Sequence, residues 1–203
     1  MKARENPFAA QRIEQLRYDW QDGSWQRLFE RLAALGHRGA LVGPQGAGKT
    51  TLLLELGERL NEAGWCVRRL RLSRDPAADS SRRLRDFVTG LDARHFLLLD
   101  SAEQLGWPRW YWFARRARSA GGLVITTHRP GRLPTLHDCR TSPELARQLV
   151  SQLWGSDELR PLVDQLFRHY RGNVRDVLRA LYDLAAADEI RRGTTNDTNG
   201  ANR

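Results

Sequence analysis

Gly43-Pro44-Gln45-Gly46-Ala47-Gly48-Lys49-Thr50 decides how this chain is read. The eight residues fit GxxxxGK[ST], a pattern whose spacing follows from phosphate chemistry. Before them stands Gly39-Ala40-Leu41-Val42, short and apolar, suited to a buried strand. After them, residues 49–63 place Leu52, Leu53, Leu56, Leu60 and Ala63 on one side of a helix, with Gly64 as its stop. Glycines between strand and helix let the backbone curl so that its N–H groups converge on phosphate oxygens. The helix adds its positive N-terminal end. Lys49 supplies a compact point charge where a planar guanidinium would not fit. Only two lysines, Lys2 and Lys49, stand among the chain's 33 basic residues, so an ammonium at this position stands out. Without ligand, Lys49 is expected to face solvent.

Working outward, strand-like runs alternate with helical ones. Trp25, Leu28, Phe29, Leu32 and Leu35 recur at helical spacing until Gly36, after an Asp22-Gly23 turn. Cys66–Leu72 reads as a strand, then Ser80 or Ser81 caps a helix with Leu84, Phe87, Val88 and Leu91 on its apolar face. Phe96–Leu99 is an all-apolar strand. Residues 102–118 look helical, with Gly106-Trp107-Pro108 expected to break or kink the first turns. Leu123–Thr127 is a fourth strand, and residues 133–139 hold a short fifth. Alternation of this kind means βαβ units and a mostly parallel sheet.

After residue 140 only helices are expected. Thr141-Ser142-Pro143-Glu144 matches a capping box and opens the first. Leu159, Leu162, Val163, Leu166, Phe167 and Tyr170 form a second stripe that Gly172 stops. Asn173 caps a third helix bearing Val174, Val177, Leu178, Leu181, Leu184 and Ala185. The expected organisation is a core at 1–140 with an N-terminal helical segment, a helical lid at 141–190, and a disordered tail at 191–203. An Asn196-Asp197-Thr198 sequon in that tail carries no meaning in a cytoplasmic protein.

Asp100 closes the strand Phe96–Leu99. A carboxylate at the C-terminal end of a buried parallel strand lies on the edge where ligands bind. With the loop at 43–50, it places the chain in resemblance to the P-loop NTPases, with Gly43–Thr50 as Walker A and Asp100 as Walker B. More narrowly the chain resembles the additional-strand branch that includes AAA+ and STAND-type ATPases. A further strand, 123–127, follows the Walker B strand. Thr126-Thr127, then His128, end it where this branch carries its sensor 1 residue. An all-helical segment resembles the AAA+ lid, and Gly172-Asn173-Val174-Arg175 resembles the stretch bearing the sensor 2 arginine. The resemblance implies an α/β three-layer sandwich with a five-stranded parallel sheet ordered 5-1-4-3-2. It implies ATP and Mg²⁺ as cofactors. Gly43, Pro44, Gln45, Gly46, Ala47, Gly48, Lys49, Thr50, Thr51, Thr127 and Arg175 would contact nucleotide, and Thr50 and Asp100 would hold the metal.

One departure bears on chemistry. The branch usually places a glutamate directly after the Walker B aspartate, as general base for water. Here Ser101 stands there. Glu103 is the nearby carboxylate, read either as that base or as a first-turn residue favoured by the helix dipole. Slow hydrolysis and a switch-like role follow, within a larger assembly or through self-association. No [NT]KxD motif occurs, and Asp100 is not followed by DxxG, so ATP rather than GTP is expected by elimination. Tyr18 and Trp20 are candidates to stack on adenine. A small-molecule or nucleotide kinase shares the loop and a lid, but the Asn173/Arg175 lid pattern and the lack of an Arg-rich insertion between strands four and five argue against it.

Composition frames these readings. The chain has 203 residues, 40% hydrophobic and 28% charged, enough to bury roughly 70% of its unfolded surface without staples. Two cysteines, Cys66 and Cys139, exclude a disulfide scaffold; both fall on expected strands and should be buried. No apolar run reaches about 18 residues, so no membrane span is expected, and the N-terminus lacks a secretory core, which gives a cytoplasmic default. The five histidines show no metal spacing. The net charge is +9, and arginines crowd Arg68–Arg85 and Arg109–Arg118, the latter among aromatics. Surface arginines in an arginine-biased chain explain this, and so does single-stranded nucleic acid, giving an ATP-dependent nucleic-acid-binding protein as a third reading.

Overall fold

A computed structural model describes residues 6–13, 15–20, 23–73 and 79–187. The tail at 191–203 with its sequon, Asp22 of the expected turn, Lys2 and Arg74 lie outside the described residues. The elements run α1 (Ala10–Ile13), α2 (Trp25–Ala34), β1 (Arg38–Val42), α3 (Lys49–Glu62), β2 (Cys66–Arg71), α4 (Asp79–Phe87), β3 (His95–Asp100), α5 (Trp107–Arg116), β4 (Gly122–Thr127), β5 (Thr135–Asp138), α6 (Pro143–Trp154), α7 (Arg160–His169) and α8 (Val174–Ala186). The chain divides into two compact units.

One unit spans Arg17–Pro44 and Gly48–Arg140. Its sheet has five strands in the order β2-β3-β4-β1-β5, every pair parallel. This is the expected 5-1-4-3-2 order. Side chains on β3 alternate between two cores. Leu97 and Leu99 join Phe87 of α4 and Trp110 and Phe113 of α5 in one cluster. Leu98 points the other way, where a Cβ on Gly57 of α3 would meet it at 2.9 Å. Helices on both faces make three layers. The middles of β3 and β4, Phe96–Leu99 and Leu123–Ile125, are apolar because both faces are covered.

The expected break in 102–118 is present: residues 102–104 form a separate 3₁₀ turn, and α5 starts afresh after the extended Gly106, with Pro108 in its first turn, where its missing N–H would have no intrahelical partner anyway. One expectation fails here for a local reason. Cys66 is exposed rather than buried, because β2 is an edge strand; Cys139 is buried, just past β5. Burial pushes the Cys139 thiol up to about 11.

The other unit gathers the described residues through Leu16, Gln45–Ala47 and the described residues from Thr141. Its core packs Ala146, Val150, Val163, Val177, Leu181 and Ala185 of α6, α7 and α8 around Phe8. The N-terminal residues, expected with the 1–140 core, group here because Asn6 Nδ2 donates to the Tyr182 carbonyl at 2.9 Å and Phe8 stacks on Trp154. Helix α6 is capped by Ser142, not by Thr141: Ser142 Oγ accepts from Leu145 N–H at 3.1 Å. Pro143 at the first helical position selects the residue before it as cap. Asn173 caps α8 as expected, accepting from Arg175 and Asp176 N–H.

Candidate functional site

The loop from Gly43 to Thr50 runs from the end of β1 to the first turn of α3. Gly43 is required by close approach, since a Cβ there would fall 2.2 Å from the Cys139 carbonyl oxygen. Lys49 is 8% exposed, not solvent-facing. Its Nζ donates to the carbonyls of Gly43 at 2.7 Å and Pro44 at 2.5 Å. The reason is elementary: a curled loop turns some carbonyls inward as well as N–H groups, and a buried ammonium takes acceptors where it finds them. Tyr18 lies over Gly48, held by Glu55, whose Oε1 accepts from Tyr18 N–H at 2.5 Å. Tyr18 Oη pairs with His137 Nε2 at 3.0 Å. Trp20 stands edge-on to Tyr18, His137 and Trp25. Burial raises the Tyr18 phenol and lowers the His137 imidazole, so both are neutral near pH 7.

Sheet order explains the rest. β4 lies between β1 and β3, and the register sets Leu99 beside Ile125, bringing the next residues, Asp100 and Thr126, together. Thr126 Oγ donates to Asp100 Oδ1 at 2.6 Å and accepts from Ser101 N–H at 2.7 Å. Thr50 Oγ donates to Asp100 Oδ2 at 3.1 Å. Arg71 Nε approaches that same oxygen at 3.6 Å from an exposed side chain. Asp100 is thus buried and held from two sides by hydroxyls.

Ser101 has φ +64°, a left-handed backbone rare for a residue with a Cβ. It turns the chain sharply into the 3₁₀ segment bearing Glu103. Glu103 Oε1 pairs with His128 Nε2 at 3.4 Å, while Oε2 is buried without a hydrogen-bond partner among the described residues. Thr127, the expected sensor, instead donates to the Arg129 carbonyl at 3.1 Å. Thr126 is the residue of that pair which engages Asp100. Strand parity is the signal that distinguishes them, and it requires knowing the register.

Within the other unit, a Cβ on Gly46 would fall 2.1 Å from Asn173 Oδ1 and 3.0 Å from the backbone nitrogens of Val174 and Arg175. Gly46, at φ +81°, therefore meets the first turn of α8 with nothing between them. Arg175 is exposed there. Several arginines counted as a basic cluster have structural partners: Arg68 donates to the Thr89 carbonyl, and Arg82 pairs with Asp86 at 3.9 Å.

No family model matches the chain, and no curated protein does. Solved structures match it. Domain III of the Thermotoga maritima replication initiation protein DnaA superposes with a TM-score of 0.57 at 17% identity, covering 85% of this chain and 87% of that one. A DnaA replication initiator bound to AMPPCP and single-stranded DNA gives 0.56 at 15% identity over 84% of this chain, which spans 63% of that protein's length. A point variant of Thermotoga maritima RuvB gives 0.50 at 15% identity, covering 82% and 70%. This chain has the AAA+ P-loop NTPase fold. In that AAA+ fold, the glycine-rich loop, the Asp100 strand end and the Thr126 strand end fall on consecutive neighbours β1, β4 and β3. No described helix is long and apolar enough to cross a membrane.

Proposed function

We propose that the chain binds ATP with Mg²⁺ and hydrolyses it slowly, acting as a nucleotide-dependent switch. The observation that carries this reading is the pair of hard oxygen donors beside the loop. Thr50 Oγ and Asp100 Oδ2 stand 3.1 Å apart, and Thr126 holds the other carboxylate oxygen. A hydroxyl and one carboxylate suit Mg²⁺, which binds through few protein ligands and completes its shell with phosphates and water. When bound, the ion neutralises charge on the transferring phosphate.

Lys49 would exchange the Gly43 and Pro44 carbonyls for phosphate oxygens. Residues Gly43 to Thr51 would supply N–H groups, and Arg175 on α8 would contribute a charge toward the terminal phosphate. Glu103 is the general base in this reading: its Oε2 has no hydrogen-bond partner among the described residues, so a lone pair is left for water. Its distance in sequence from Asp100, in place of a directly following glutamate, makes the isolated chain slow. Faster turnover would come from a protein partner or a second copy supplying a group in trans.

Phosphate release from radiolabelled ATP tests this. Wild type should turn over slowly, and Asp100→Asn should abolish it. Glu103→Gln should lower turnover by about 10²-fold or more with ATP affinity nearly unchanged, the loss of a general base. Turnover that survives Glu103→Gln would make Glu103 a structural turn residue. Transfer of phosphate to an added small-molecule or nucleotide acceptor would instead favour a kinase.

A further inference from the structure

Between Glu103 and Asp138 the chain contains no carboxylate, yet it carries six arginines, and the segment holds both exposed large aromatic residues among the described ones. Trp107 is 68% and Tyr111 70% exposed, the two most exposed large hydrophobic residues described. They lie one turn apart on the same face of α5, followed one turn later by exposed Arg115. A rise of about 6 Å separates the two rings' backbones, enough for each to take its own flat partner. Arg132 stacks beneath this face, 5.5 Å from the Trp107 ring and 5.0 Å from the Trp110 ring. On the next stripe Arg116 lies 5.9 Å over Trp112. Phe113 and Trp110 anchor the other side of α5 in the core, so the outer face is rigidly presented.

We propose that this outer face of α5 is a docking surface for single-stranded nucleic acid, with Trp107 and Tyr111 stacking on bases and the exposed Arg115 and Arg116 neutralising phosphates. Two exposed ring faces beside guanidinium groups match a ligand that alternates flat bases with anions, and base–aromatic stacking is indifferent to sequence. An acidic peptide would satisfy the arginines and leave the rings without flat partners. A second copy presenting the same face would set arginine against arginine, with no acidic residue in the segment to relieve the repulsion. The proposal uses residues other than those assigned to nucleotide and holds whether or not nucleotide binds.

The test is fluorescence anisotropy with the full chain, without nucleotide, at low salt. Labelled oligo-dT and oligo-U of about 20 nucleotides exceed the ~4–16 nucleotide sites of small single-strand binders; a duplex of the same length is the comparison. Single strands should bind more tightly than duplex, and the ratio of the dT and U affinities assigns the sugar. Trp107→Ala with Tyr111→Ala should weaken binding about ten-fold or more, with an unchanged melting temperature because both rings are exposed. Arg115→Gln should reduce the slope of log affinity against log salt by about 0.7. The proposal is overturned if the double aromatic variant binds as tightly as wild type. Equal affinity for duplex overturns it too, as does displacement by polyglutamate as effective as by unlabelled oligonucleotide. Self-association that the double variant abolishes would make a second copy the occupant.

Discussion

At the scale of single residues, the arrangement turns on Thr126. Its hydroxyl fixes one Asp100 oxygen and accepts the N–H of Ser101, whose left-handed backbone starts the turn to Glu103. Thr126→Val keeps the shape and deletes both bonds in a buried place. Each buried group left unpaired costs about 1–3 kcal/mol, and a kcal/mol is worth about 2–4 °C in a chain of this size. Thr126→Val should therefore melt several degrees lower and bind Mg-ATP more weakly, whereas Thr126→Ser should behave nearly as wild type. Thermal melts with and without Mg-ATP check this; a Val variant equal to the Ser variant would remove Thr126 from the site. The positions of the loop and of Asp100 were legible in the sequence because spacing and strand ends announce them, while Glu103 was readable equally as a base or as a first-turn residue. Thr126 was not separable from Thr127, since only the register with β3 decides which of two adjacent hydroxyls faces the carboxylate. The buried state of Lys49 was equally hidden, because its acceptors are backbone carbonyls that no side-chain pattern reveals.

At the scale of elements, apolar spacing was sufficient for β1, α3, β3, β4 and the helices after residue 140. Near Pro143 the helix start was read correctly but its cap was placed at Thr141 instead of Ser142, because a proline at the first helical position selects the residue before it. The exposure of Cys66 follows from β2 lying at the sheet edge, a property of strand order that the strand's own residues do not state. Two caps separate stability from ligand response. Ser142→Ala and Asn173→Ala should each cost about 1 kcal/mol, as lost N-caps do, and lower the melting point by about 2–4 °C. Asn173 also abuts Gly46 of the phosphate loop, whereas Ser142 caps α6. Titration calorimetry should therefore show weaker Mg-ATP binding only for Asn173→Ala. Equal binding by the two variants would confine Asn173 to capping.

At the scale of the whole molecule, the account joins a parallel sheet, whose order places three strand ends side by side, to a loop that presents one buried ammonium. The fold class and sheet order were legible because the glycine-rich loop selects them once recognised. The membership of the N-terminal residues was not, since it depends on Asn6 and Phe8 finding partners far along the chain. The central claim is that Lys49 and its loop hold the phosphates of ATP. Lys49→Ala leaves two carbonyls without this donor, so the unliganded variant should itself melt somewhat lower. The decisive quantity is the further shift produced by nucleotide. At Mg-ATP near 100 times its dissociation constant, binding stabilises the folded state by about 2.7 kcal/mol, so wild type should rise by roughly 5–10 °C, while Lys49→Ala should rise by little from its own starting point. An equal rise in both proteins would contradict the account.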